Sequence, residues 1–208
     1  MMKAIHYAKR IEELSVDFYK NATSFNVKFA AKTLLAKVFR NIDWRHRAIL
    51  DYLEPRYADL VQSYAGREQP PSVLTDDCPI WVCWLQGEEQ MPYICQKCVE
   101  SIRKHADKHP VILITFDNYR EYVTIPDYIL KKVGKEISYT HFSDILRANL
   151  LADHGGMWID ADIYIAQDMP DWGLPFYTLK QYFPGNNTYV SLYRWLGGFQ
   201  GGVKNNLT

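Results

Sequence analysis

Four ionisable residues, Asp144, Arg147, Asp160 and Asp162, fall in one short stretch of the chain. It runs His141-Phe142-Ser143-Asp144-Ile145-Leu146-Arg147 and, after a spacer, Gly155-Gly156-Met157-Trp158-Ile159-Asp160-Ala161-Asp162. Two carboxylates one residue apart repel each other unless a cation sits beside them. Hard oxygen donors suit Mg²⁺ or Mn²⁺, which keep water and phosphate oxygens in their remaining positions. A nearby arginine adds a planar fork for phosphate or sugar oxygens. Together these groups suit the holding of a metal-bound diphosphate next to a sugar. An isolated Asp-x-Asp is common and fits a solvated strand end. The Ser-Asp-x-x-Arg segment and the glycine pair ahead of it set this one apart.

Local periodicity says how these side chains are presented. Apolar residues at Ile145, Leu146, Leu150 and Leu151 recur at helical spacing, with Ser143 available as the N-cap, so a helix is expected over 143–154. On it Asp144 and Arg147 share a face. Gly155 and Gly156 then end the helix, because glycine accepts left-handed backbone without a Cβ penalty. Residues 157–165 alternate as a strand. Trp158, Asp160, Asp162 and Tyr164 fall on one face, and Met157, Ile159, Ala161, Ile163 and Ile165 on the other. Both aspartates are expected to point the same way.

Around this stretch the chain divides into three parts: a helical region over 1–65, a linker over 66–78 and an α/β domain over 79–208. The first part has apolar residues at three and four spacing and no proline before Pro55, with helix breaks expected near Asn21–Asn26 and Asn41–Asp43. The linker carries Gly66, Pro70, Pro71 and Ser72. Beyond it strands (80–85, 111–116, 157–165) alternate with helices (92–105, 126–133, 143–154). That pattern indicates a mainly parallel, Rossmann-type sheet whose ligands bind at the carboxyl ends of strands. Trp84 and the Asp160–Asp162 pair lie at such ends.

The segments Ser143 to Arg147 and Gly155 to Asp162 resemble the signature of glycosyltransferases with a DXD sugar-binding region, of the glycosyltransferase family 32 type. Within that group the chain is most similar to bacterial capsular polysaccharide synthesis proteins. The likeness extends to Pro79-Ile80-Trp81-Val82-Cys83-Trp84-Leu85-Gln86-Gly87, which looks like the first strand and nucleotide-binding turn of such enzymes. The resemblance implies a GT-A-like fold and hexosyl transfer with retention of anomeric configuration. The donor would be a nucleotide diphosphate sugar, and the acceptor a saccharide or lipid-linked saccharide. It implies that Trp84 stacks on the base, that Asp144 and Arg147 contact the sugar and diphosphate, that Asp160 lies near ribose, sugar and metal, and that Asp162 is the metal ligand. In such enzymes this strand lies near the middle of the chain, so the second half is expected to be incomplete here. A truncated, non-catalytic nucleotide-sugar binder or a membrane-surface assembly protein therefore stands as the alternative. No general base or nucleophile is assigned.

Composition narrows the remaining classes. The formal net charge is zero, which offers no general attraction to nucleic acid. Residues 1–40 carry eight Lys or Arg against three acidic residues. That excess opens a reading in which the N-terminal helices rest on the inner face of the plasma membrane, beside one in which the protein is simply cytoplasmic. No apolar run reaches bilayer-spanning length, and the start lacks the apolar core of a signal peptide. Cys95 and Cys98 have metal-ligand spacing, with Cys78 and Cys83 upstream, yet they sit in apolar patterns that read as buried thiols. An Asp-x-Asp phosphatase normally wants Thr or Val where Tyr164 stands. Sequons at Asn21, Asn186 and Asn206 are at chance frequency.

Overall fold

The computed structural model describes residues 2–68, 72–180, 189–192 and 194–206. Pro70 and Pro71 of the expected linker and the sequon at Asn186 lie outside the described residues. The described residues form two compact units, one of residues 2–66 with 189–192 and 194 and one of residues 67–68 and 72–180 with 195–206.

The first unit holds α1 (Met2–Ser24), α2 (Val27–Val38) and α3 (Ile42–Tyr64), with α2 packed against both of its neighbours. The asparagines where breaks are expected act as N-caps. Asn26 accepts from the Phe29 amide at 2.8 Å and Asn41 from the Trp44 amide at 3.0 Å, each satisfying an orphan donor of the first turn. Ala30, Ala36 and Ala48 are the residues buried where the helices meet.

The second unit contains β1 (Ile80–Cys83), α4 (Tyr93–Lys104), β2 (Val111–Ile114), α5 (Asp127–Leu130), α6 (Tyr139–His154), β3 (Gly156–Ile159), β4 (Phe176–Thr178) and β5 (Phe199–Gly202). Its sheet has the order β2-β1-β3-β5-β4. β1 pairs in parallel with β2 and β3, whereas β5 runs antiparallel to both β3 and β4. The sheet is therefore mixed rather than mainly parallel. Alternation along the strands divides the core. Ile80, Val82, Met157 and Ile159 pack with Val99 and Ile102 of α4, while Trp81 and Trp158 pack with Phe142, Leu146 and Leu150 of α6.

β1, β2 and α5 are shorter than expected, and two further changes bear on the aspartates. The helix begins a turn earlier than its expected start, at Tyr139, capped by Ser138, whose hydroxyl accepts from the His141 amide at 3.1 Å. Buried Phe142 extends the apolar stripe back by one turn, and Ser143 lies inside the helix, donating to the Thr140 carbonyl at 2.8 Å. The strand expected over 157–165 stops at Ile159. Asp160 begins a tight turn, closed by the Ile163 amide donating to the Asp160 carbonyl at 3.0 Å.

Candidate functional site

The chain runs from β1 to β2 on one side and later returns to place β3 on the other side of β1. Such a reversal opens a crevice at the carboxyl ends of the two parallel strands, where open α/β sheets take their ligands. A cavity of about 410 Å³ lies there. Trp84 and Gln86 line it from the end of β1, Asp160 and Asp162 from the end of β3, Asp144 and Thr140 from α6.

The two aspartates reach one cavity through the Asp160 turn, not through strand alternation. Their settings differ. Asp160 is half-buried and held on several sides. Its Oδ1 accepts from Trp158 Nε1 at 2.7 Å and lies 3.9 Å from Arg147 Nη1, and its amide donates to the Gly198 carbonyl at 2.8 Å. A Cβ on Gly198 would collide with Oδ2 of the same carboxylate. Asp162 is exposed, so its oxygens have solvent access.

Arg147 donates to Asp144 Oδ1 at 2.7 Å, and its guanidinium carbon stands 5.6 Å from the centre of the Trp158 ring. Its side chain is only 17 % exposed and is absent from the cavity lining. The structure thus brings Trp84, Asp144, Asp160 and Asp162 together at the cavity, with Arg147 behind the wall, between two of the carboxylates. Among the described residues, the indole N–H of Trp84 is buried without a hydrogen-bond partner.

Three contributors escaped the sequence reading. Trp158 is placed by alternation on the aspartate face without a role, and its N–H orients Asp160. The Gly197-Gly198 pair is visible in the sequence, yet nothing local says that it lies against Arg147 and Asp160; a Cβ on Gly197 would come within 3.3 Å of Arg147 Nη2. Thr140 precedes the expected helix start.

The thiols near the cavity are held neutral. Burial, and then the Asp160 carboxylate, push the Cys83 thiol up to about 12, and burial, then Cys95 and Asp162, raise that of Cys98. Among the described residues no group of three or more His, Cys, Asp or Glu is placed to hold a metal. A cation at Asp160 and Asp162 would therefore draw its other ligands from water and a bound phosphate, as Mg²⁺ and Mn²⁺ do. The donor set fits that role.

A family model described as capsular polysaccharide synthesis protein matches residues 12–207. Searches of curated proteins and of solved structures return no match.

Proposed function

The chain belongs to the family of capsular polysaccharide synthesis proteins, and from that premise we propose that its cavity binds a nucleotide diphosphate sugar and passes the sugar to a saccharide or lipid-linked saccharide acceptor. The observation that carries this reading is the convergence of Trp84, Asp144, Asp160 and Asp162 on one cavity at the β1–β3 switch point. Trp84 is the wall for the base, and Asp144 accepts from sugar hydroxyls. Asp162, with help from Asp160, would hold Mn²⁺ or Mg²⁺. The bound cation would offset charge on the departing diphosphate. Arg147 keeps Asp144 and Asp160 in place and lends positive potential from behind the wall. Retention of configuration, which the resemblance implies, can proceed without a general base, and none is assigned. No helix among the described residues is long and apolar enough to cross a bilayer.

A thermal-shift screen of nucleoside diphosphates, with and without Mn²⁺, tests the reading on the full chain and its Asp162→Ala variant. A ligand at about one hundred times its Kd stabilises by about 2.7 kcal/mol, enough for a shift of several degrees. The shift should require Mn²⁺ and vanish in the variant. A shift that ignores the metal, or that survives Asp162→Ala, would defeat the metal assignment. Binding without any hydrolysis of a nucleotide sugar would leave a binder rather than a transferase.

A further inference from the structure

The first unit carries an unusual surface. α2 packs through Ala30 and Ala36, and its other side presents Val27, Ala31, Leu35 and Val38 at i, i+4, i+8 and i+11, all exposed. This stripe runs into the α2–α3 corner. There Phe39 and Trp44 are 64 % and 51 % exposed and stand edge to face, ring centres 5.7 Å apart. Two large rings locked together at a solvent-facing corner, continuous with an aliphatic stripe, form an apolar patch that water does not favour.

The charges beside it are mainly basic, with Asp43 next to Trp44 as the exception. α2 contains Lys28, Lys32 and Lys37 and no acidic residue. Arg40 sits in the bend itself with φ 51. Arg45, in the first turn of α3 and next to Trp44, is exposed. Two of the three α2 lysines are paired, Lys37 with Asp17 and Lys32 with Asp51, which leaves Lys28, Arg40 and Arg45 as the positive charges nearest the patch. Residues 1–66 carry eleven Lys or Arg against seven acidic residues, so in a chain of zero formal charge the rest carries the opposite excess.

We propose that the α2–α3 corner docks on an anionic phospholipid bilayer, with Val38, Phe39 and Trp44 entering the headgroup–acyl boundary and Arg40 and Arg45 at the corner meeting lipid phosphate. Aromatic rings at the interface, aliphatic side chains beside them and a cationic surround are what such a surface demands. A second copy of the chain is the poorer occupant, because a two-fold contact would press two cationic faces together. RNA would use the arginines and rings but gains nothing from Val27, Leu35 and Val38. The proposal does not rest on the nucleotide-sugar reading.

Co-sedimentation of the full chain tests it, with vesicles of phosphatidylcholine alone and of equimolar phosphatidylcholine and phosphatidylglycerol. The chain should pellet with the anionic vesicles only. Phe39→Ser with Trp44→Ser, and separately Arg40→Asn with Arg45→Gln, should each cut partitioning by about tenfold or more. Asn is chosen at position 40 because it tolerates left-handed backbone. Both pairs should keep the wild-type helical signal and melting temperature; if one does not, Leu35→Asn, on an exposed position, takes its place. The proposal is overturned if anionic vesicles fail to pellet the chain, or if the variants pellet as well as the wild type. It is equally overturned if the two pairs instead abolish a dimer seen by light scattering, or binding to RNA, with vesicle binding unchanged.

Discussion

Asp160 shows how a single carboxylate can be built from distant parts of a chain. Trp158 supplies a hydrogen bond from two residues upstream, Arg147 a charge from α6, and Gly198 both a carbonyl and an open space. Gly198→Ala places a methyl group against Asp160 Oδ2, with the carboxyl carbon 2.9 Å away. Overpacking of this kind costs about 1–3 kcal/mol, and the cheapest relief is to push Asp160 out of position. The expected result is a lower urea midpoint together with loss of the Mn²⁺-dependent nucleotide shift. Gly197→Ala is the control, because the atom it meets, at 3.3 Å, is the end of the flexible Arg147 side chain. It should keep the shift.

The α6–β3 connection is what aims α6 and the Asp160 turn at one another. Gly155 has φ 72 and ψ −162, a backbone region essentially reserved for glycine. A Cβ there would meet the Lys204 amide at 2.7 Å and the Gly202 carbonyl at 2.9 Å, both backbone atoms that cannot step aside. Trp81 Nε1 donates to the Gly155 carbonyl at 2.8 Å, tying β1 to the same joint. Gly155→Ala should therefore destabilise by about 2–5 kcal/mol, adding backbone strain to overpacking. Trp81→Phe leaves one buried carbonyl short of a partner and should cost less, about 1–3 kcal/mol. Urea unfolding of the two variants gives the ranking, and a smaller loss for the glycine change would refute this account of the joint.

Across the molecule as a whole, charge and protonation set the conditions under which the fold holds. Burial pushes the thiols of Cys78 and Cys83 up to about 11 and about 12, from a value near 9.0 in an unfolded chain. In that window the unfolded chain releases protons that the folded one keeps. The stability these two thiols contribute is thus full below pH 9 and is lost as pH rises towards 12, by on the order of a few kcal/mol. Cys83→Ala should flatten part of that decline in chemical denaturation between pH 8.5 and about 10.5, against whatever slope other groups impose. An unchanged slope would mean that Cys83 is not held neutral by the fold.

Much of the architecture was legible because its causes are local. The apolar spacing of α4 and α6, the helix breaks near Asn26 and Asn41, and the glycine pair after His154 state their structure within a few residues of themselves. Asp144 and Arg147 share a helical face for the same reason, and their ion pair follows from three-residue spacing. The end of β3 was not legible. Residues 160–165 alternate like a strand, but a strand persists only where a neighbour offers its hydrogen bonds. β5 pairs with Gly156–Ile159, and the Gly198 carbonyl then takes the Asp160 amide. β5 itself was hidden by its composition, since glycine is depleted in strands; a Cβ on Gly201 would strike Gly156 and Met157 of the facing strand. Residue types and short-range periodicity thus named the chemical groups and most of the elements that carry them. Which of those groups meet in one cavity, and which stand behind its wall, was decided by strand order and long-range packing, because contacts between distant segments leave no periodic trace in either one.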